Sequence, residues 1–381
     1  MFPKKDLPKR AETRINTKNL ATELRKIEGN LSPTELKRAK RILSDLRTGA
    51  EAYQKSPPLP PITVLNSESC FKYGQLLTDK LVSWIKKGFV AGPFDYPPLP
   101  GFRANPLAVI ERNNKIRPVL NMSSPKNMSF NDNIEKRKLE KVHMSTAKSF
   151  SYGLRKEGEG AIFSKFDIQD AYKLVPAKVE DLHLQGFKWL DKYFCETRET
   201  FGSVASVCNF DRLSKTRDLI ICLQSKTPRD KVFRVLDDTV CVAGKDTGIT
   251  EKFSEEMKRL CKFIDLPLAK NCPSNDKAFE CQTRGIVLGI GFDSSSMEWF
   301  LPEKKARKVI RRCLEAKQCV HMDLKQVQKL MGSVNDLAQM CPVLKFHKGS
   351  GNLFLAKFRG NENILLPTTE ELRDDMAIMY S

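Results

Sequence analysis

The stretch FRVLDDTVCVAG, Phe233 to Gly244, sets two adjacent aspartates, Asp237 and Asp238, between apolar runs that read as buried strand. Two strands joined at so polar a point form a hairpin, KVFRVLDDTVCVAG, with the aspartates at its tip. A second apolar run, in GAIFSKFDIQDAYKLVP, ends on another acid, Asp167. If the two strands are neighbours in a sheet, three carboxylates converge. Like charges in a partly desolvated site are either protonated or hold cations. Magnesium is the hard cation that suits such an oxygen-rich set, with manganese as the alternative ion. Two such ions about 3.5 to 4 Å apart activate an attacking hydroxyl and stabilise a leaving oxygen, the chemistry of polymerases and some nucleases. The plain alternative is a solvated surface turn, for which an Asp-Asp pair is common.

Charge bears on that choice. The chain carries a formal net charge of +19, and its basic residues recur along the whole length. A polyanionic partner, most simply nucleic acid, is expected. An acidic membrane surface is the competing reading, but no apolar run nears the roughly 20 residues of a spanning helix and MFPKKDLPKRAETR has no signal-peptide core, so no membrane partner is expected. With 381 residues and 40% hydrophobic content, the chain can form two or three packed subdomains. The 11 cysteines show no zinc-ligand spacing, so they are expected as buried free thiols in a reducing, intracellular compartment, cytoplasm or nucleus.

Along the chain, SPTELKRAKRILSDLR predicts a helix capped by Ser32, with Pro33 in its first turn, Glu35 closing the capping box, and Leu36, Ala39, Leu43 and Leu46 on its apolar face. Its Lys37, Arg38 and Arg41 are open to phosphate contact, with packing favoured. SPPLPPIT then reads as a stiff spacer, after which the core is expected to begin. A helix over Gln75 to Lys87 ends at Gly88. PLAVI and IRPVLN flank Asn113 and Asn114 as a hairpin with a basic tip. Without a regular βαβ repeat, the expected class is α+β, with helices packed on one face of a sheet.

Several ordered blocks carry a family resemblance: SWIKKGFVAGPFDYPPL, NKIRPVLNMSSPKNMSFND, FSKFDIQDAYKLVPAKVEDLHLQGFKW, ETFGSVASVCNF, VLDD, LPLAKNCPS and GIVLGIGFDSSSMEWFLPEKK. In this order, from about Gly88 to about Phe354, the chain resembles the reverse transcriptases of retroelements, most closely the DIRS-type retrotransposons. The resemblance implies a right-hand fold of fingers, palm and thumb, and an RNA-directed DNA polymerase that adds deoxynucleotides to an RNA or DNA template-primer with two magnesium ions. The implied organisation is a basic helical arm and linker over 1–62, fingers and palm over 63–300, a thumb-like basic helical region over 301–358, and a tail over 359–381. That tail leaves no room for an RNase H domain, so either the open reading frame is truncated or strand removal is done elsewhere, with an element-encoded RNase H or recombinase as the candidate partner.

The resemblance assigns roles by position. Asp167 and Asp237 would ligate both ions, Asp238 would be the less central carboxylate, and the backbone carbonyl of Ile168 would complete one shell. Tyr172 matches the aromatic gate that excludes a ribose 2′-hydroxyl; the alternative is a core tyrosine. Arg117 matches the fingers arginine that grips the triphosphate, a job suited to a planar guanidinium. Arg112 or Lys115 supplies a second phosphate contact, or is solvated. Phe201 and Gly202 match the block lining the nucleotide pocket, where glycine permits close approach. Lys270 is a candidate to protonate the leaving pyrophosphate, or a surface lysine.

LPEKKARKVIRRCLEAKQ predicts a helix with the basic face Lys304, Lys305, Arg307, Lys308, Arg311 and Arg312 and an apolar stripe of Ala306, Ile310 and Cys313. In the resemblance it is the thumb, tracking phosphates; a solvated charged helix is the alternative. The next helix, capped by Asp323 with Gln326, carries Val327, Leu330, Met331, Val334 and Leu337 as core. Two features depart from the family. Val235 stands where an aromatic usually contacts the primer end, and FGSVASVCNF lacks the customary proline. Beside the active polymerase stand two further readings: a decayed or domesticated relative that binds nucleic acid, and another two-metal phosphoryl-transfer enzyme.

Overall fold

The computed structural model describes residues 8–112, 115–270, 277–361 and 363–380. By its internal contacts the chain divides into two units: one formed by the residues up to Ser145 with Phe163–Cys281, the other by Thr146–Ile162 with Gln282–Ser381.

The first unit opens with helices α1 (Thr17–Ile27) and α2 (Pro33–Thr48). In α2 the Ser32 hydroxyl accepts from the Glu35 amide while the Glu35 carboxylate accepts from the Ser32 amide, the reciprocal cap its sequence predicts. These helices are not a separate arm. Ile15, Leu20, Ile27, Ile42 and Leu46 share one buried cluster with Phe166, Phe210 and Phe253 of the central sheet and its helices. The expected start of the core after SPPLPPIT is therefore corrected. Of the expected α2 face, Ala39 and Leu46 are buried with Ile42, while Leu36 and Leu43 are half-buried. The chain leaving α2 is also pinned, since Ala50 donates to the Pro176 carbonyl and accepts from the Lys178 amide. At Gly49, φ is +95° and a Cβ would meet the Ala177 carbonyl at 2.6 Å, so only glycine fits this approach. Arg38 and Arg41 of α2 are paired with Glu140 and with Asp45 and Glu51.

Helix α3 (Gly74–Lys86) ends before Gly88, at φ +66°. Strands β1 (Leu107–Arg112) and β2 (Lys115–Leu120) form the expected antiparallel hairpin, with Ile110 opposite Arg117 and Arg112 opposite Lys115; its turn, Asn113–Asn114, lies outside the described residues. A five-stranded sheet has the order Ile62–Thr63, Arg103–Ala104, Gly186–Trp189, Lys192–Glu196, Val90–Phe94.

The sheet that positions the acids has four strands: β3 (Ile162–Phe166), β4 (Val232–Val235), β5 (Asp238–Ala243) and β6 (Phe279–Gln282), in the spatial order β6-β3-β5-β4. Helices α4 (Val204–Ser225) and α5 (Ile249–Phe263) pack on it, α5 against β5 and α4 against both α2 and α5. The α+β class holds.

The second unit contains the helix Ala147–Glu157, a three-stranded sheet (Arg284–Val287, Ile290–Asp293, Glu298–Phe300), and helices α6 (Glu303–Gln318), α7 (Leu324–Met340) and α8 (Glu370–Tyr380). The break after Cys281 falls earlier than the expected boundary at 300. Helix α7 is capped as expected, Asp323 accepting from the Gln326 amide and Gln326 from the Asp323 amide, and Val327, Leu330, Met331 and Val334 are core with Leu337 packed at its edge. The segment expected as a tail is folded instead. Leu372 and Met376 of α8 join that core, and Leu365–Pro367 pairs with His321–Asp323. Burying two such side chains contributes about 1.5–3 kcal/mol each. On α6 the buried stripe is Val309, Cys313 and Ala316; Ile310 is 42% exposed, so the expected stripe is rotated by about one position.

Candidate functional site

Asp167 directly follows β3 and is buried. Its backbone is fixed by a bridge between Ile168 and Leu268, in which Gln169 donates to Pro267 (3.0 Å) and Ala269 donates to the Asp167 carbonyl (2.8 Å). These bonds leave the Ile168 carbonyl outside the bridge. The β4–β5 register pairs Val235 with Asp238, so the turn consists of Leu236 and Asp237, and Asp238 is the first residue of β5. The expected tip is shifted by one residue. Leu236 has φ +54°, the positive first position that a type II′ turn demands and that costs a branched residue on the order of 1 kcal/mol.

Because β3 and β5 are neighbours, the three carboxylates fall within electrostatic range of one another. Burial pushes the Asp237 carboxyl above its ordinary value; its own backbone amide opposes this, Asp167 adds to it, and Lys277 and Arg117 oppose it. Burial likewise raises Asp238, to about 6; Lys165 opposes the rise, and Asp237 and Asp167 reinforce it. Two ammonium groups answer this repulsion. Lys277 Nζ stands 3.3 Å from Asp167 Oδ2, and Lys165 Nζ stands 3.5 Å from Asp238 Oδ2. Among the described residues, no group of three or more His, Cys, Asp or Glu side chains is gathered closely enough to hold a metal ion. The donor set still fits a hard divalent cation in kind, being all oxygen, mutually repelling and already drawing cations.

Tyr172 lies in a short 3₁₀ turn, Ala171–Leu174, after Asp167. Its ring meets Phe201 edge-on, with centroids 4.8 Å apart, and meets Phe210 of α4 at 5.6 Å. Burial pushes its phenol up to about 12, with the Asp237 charge the next cause, so the ring sits near the acids. Gly202, at φ +98°, would bring a Cβ to 2.3 Å from the Leu120 carbonyl, and its own carbonyl accepts from Asn131 Nδ2 at 2.7 Å. The Phe-Gly block is thereby seated against the end of β2. Arg117 of β2 is exposed, yet its charge acts on Asp237. Lys115 is exposed at the hairpin end, and the side chain of Arg112 lies outside the described residues. Lys270 is exposed, and among the described residues no contact joins it to the acids.

Sequence reasoning missed four contributors here. Lys277 lies outside every motif block, and Lys165, inside FSKFDIQDAY, has no role assigned by it. Glu199, two residues before Phe201, is fully enclosed; burial raises it to about 7 while Ser206 and Asn209 hydrogen-bond to it. The fourth is a buried ionic group on α4, behind the Asp237 hairpin.

In the second unit, the basic residues of α6 divide. Lys304, Arg307, Lys308 and Arg311 are exposed, with Arg307 paired to Glu303 and Arg311 to Glu315. Lys305 reaches Asp336 at 3.2 Å, and Arg312 donates to the Lys329 carbonyl at 2.9 Å and to Ser333, so these two hold α7. The expected six-residue face is four residues wide. No helix among the described residues is long and apolar enough to cross a membrane.

No family model matches the chain, and no curated protein matches it in sequence. Solved structures do match in fold. The structure of the foamy viral protease-reverse transcriptase dRH in complex with double-stranded DNA superposes with a TM-score of 0.59 at 13% identity, over 99% of this chain and 62% of that one. The foamy viral protease-reverse transcriptase in complex with RNA/DNA hybrid gives 0.59 at 13% identity, over 97% and 47%. Its complex with double-stranded DNA gives 0.54 at 11% identity, over 97% and 72%. The chain thus has a reverse-transcriptase-like fold, and it spans under two thirds of the length of the first two of these proteins.

Proposed function

We propose that the chain is an RNA-directed DNA polymerase of the retroelement kind, as its DIRS-like motifs suggest, working on a template-primer with deoxynucleoside triphosphates. The observation that carries this reading is the meeting of Asp167, at the end of β3, with the Asp237–Asp238 turn on the neighbouring strand, within range of Arg117 and Tyr172.

In this reading Asp167, Asp237, Asp238 and the Ile168 carbonyl are the oxygen donors for two magnesium ions, or manganese in their place. When bound, the ions would supply activation of the primer hydroxyl and charge stabilisation of the leaving pyrophosphate. Arg117 grips the triphosphate from the β1–β2 hairpin, with Lys115 or Arg112 beside it. The rigid Tyr172 ring, wedged between Phe201 and Phe210, excludes a ribose 2′-hydroxyl, and Gly202 lets the pocket wall approach the nucleotide. Lys165 and Lys277, paired with Asp238 and Asp167, would give up these carboxylates to a divalent ion bound there. Lys304, Arg307, Lys308 and Arg311 follow the phosphate backbone without reading sequence, as a thumb would.

A second reading is favoured by one observation. Two of the three acids are each paired with a lysine, Asp167 with Lys277 and Asp238 with Lys165. A decayed relative that binds nucleic acid without catalysis would keep that arrangement. The two separate on magnesium-dependent extension of a DNA primer on an RNA template, comparing wild type with Asp237→Asn. The polymerase reading expects extension by the wild type and its loss in the variant. Salt-sensitive binding without extension by the wild type overturns it in favour of the second.

A further inference from the structure

Helix α4 is largely buried yet carries Asp211, Arg217 and Asp218 in its interior face, an expensive choice for a packing helix. All three converge on one cross-strand pair of the aspartate hairpin. In the β4–β5 register Arg234 stands opposite Thr239, so both side chains leave the hairpin on the same face, the one opposite to that of Val235 and Asp238. Asp218 Oδ2 accepts from Arg234 Nη1 at 3.2 Å, and Asp218 Oδ1 accepts from Arg217 Nε at 2.9 Å. The Arg217 guanidinium also donates to the Thr239 hydroxyl. Asp211 Oδ1 stands 3.1 Å from Arg234 Nη2. On the free edge of β4, Ser145 takes both backbone groups of Arg234, donating its amide to the carbonyl at 2.8 Å and accepting from the amide on its hydroxyl at 3.0 Å.

Stability alone does not explain this group. A buried ion network gains little over well-packed apolar side chains, because the desolvation of each ion costs about as much as the pairing returns. Here one nitrogen of Arg217 is even buried without a hydrogen-bond partner. What the network has, and an apolar contact lacks, is direction: each bond fixes the angle at which the hairpin leaves α4.

We propose that Arg217, Asp218 and Asp211 form a positioning clamp which, through Arg234 and Thr239, sets the pose of the β4–β5 turn and so of Asp237 and Asp238 against Asp167. Its consequence for turnover rests on the polymerase reading; its consequence for hairpin order does not. The conservative test is Thr239→Val, which removes only the hydroxyl, with Thr239→Ser restoring it and Asp218→Asn as the stronger variant. Amide hydrogen exchange is followed over β4–β5 and over α6–α7. In Thr239→Val the hairpin amides exchange about tenfold faster or more while those of α6–α7 do not change, and Thr239→Ser matches wild type. In an enzyme that extends primers, kcat of Thr239→Val falls roughly tenfold with the KM for deoxynucleotide unchanged. Unchanged hairpin exchange in a folded Asp218→Asn variant, a uniform rise across both regions, or a loosened hairpin with unaltered kcat each overturns the clamp. If the wild type extends no primer, the polymerase reading fails while the exchange comparison still decides the clamp.

Discussion

Replacing Asp238 by asparagine should stabilise the metal-free protein at neutral pH. The carboxyl is raised from 3.8 to about 6, chiefly by burial and further by Asp237 and Asp167, after the opposing pull of Lys165 is included. At about 1.4 kcal/mol for each pH unit that separates the folded value from the unfolded one, keeping the ionised form in the fold costs at most roughly 3 kcal/mol. With the side chain 29% exposed, solvent screening reduces this to about 1–2 kcal/mol. The sign follows from linkage. Below the unfolded pKa the group is protonated in both states and costs nothing. As pH rises from about 4 to about 6 the folded state holds its proton longer, so wild-type stability falls; above 6 the full cost is present. Asparagine never ionises, so the variant keeps the stability that the wild type loses. Urea unfolding in a chelator should give Asp238→Asn an advantage of about 1–2 kcal/mol at pH 7.5 that vanishes near pH 4. Saturating magnesium should narrow or reverse the advantage, because it binds the wild-type folded state. A variant no more stable than wild type at pH 7.5 without metal would refute the burial and repulsion argument.

Three other outcomes follow from the geometry. Tyr172→Ala should raise ribonucleotide incorporation relative to deoxynucleotide by about 10- to 100-fold, measured as the ratio of kcat/KM values; an unchanged ratio removes the gate from Tyr172. Gly202→Ala forces a Cβ to within 2.3 Å of the Leu120 carbonyl at a positive φ, and should cost more than about 2 kcal/mol in urea unfolding. Wild-type stability would mean that the β2 end moves freely. Neutralising Lys304, Arg307 and Arg311 together should lower the slope of log binding constant against log salt by roughly one to three, and an unchanged slope would place that face of α6 away from phosphate.

How much of this was legible in the sequence depended on whether a feature was local. Capping boxes at Ser32 and Asp323, the glycine stop at Gly88 and the two hairpins are set by neighbours in the chain, and the structure has them where the residues put them except that the aspartate turn is shifted by one residue. The placement of Asp167 beside the VLDD turn needed only that two apolar strands be neighbours. What failed depended on distant contacts. The proline-rich stretch read as a domain spacer because nothing local shows that Ile15 and Leu20 pack with Phe166 and Phe253. LPTTEELRDDMAIMYS read as a tail because α8 offers few apolar residues; among the described residues Leu372 and Met376 anchor it. On α6, cations on nearly every turn masked the shift of the stripe to Val309 and Ala316 and the recruitment of Lys305 and Arg312 by α7. The clamp on α4 was invisible for a related reason. TRD within a long helix looks like solvated charge until Arg234 and Thr239 are known to face it.

Whether Asp167, Asp237 and Asp238 act as one cation-holding unit decides between polymerase and inert relative. Titration with Mn²⁺, with free ion counted by electron paramagnetic resonance in the presence of template-primer and deoxynucleotide, tests this without requiring turnover. The wild type should bind about two ions per chain at pH 7.5, binding should weaken as pH falls through about 6, where Asp238 takes up its proton, and Asp167→Asn and Asp237→Asn should each lose at least one ion. A wild type that binds no ion at millimolar concentration, or aspartate variants that bind as the wild type does, would contradict a shared cation site.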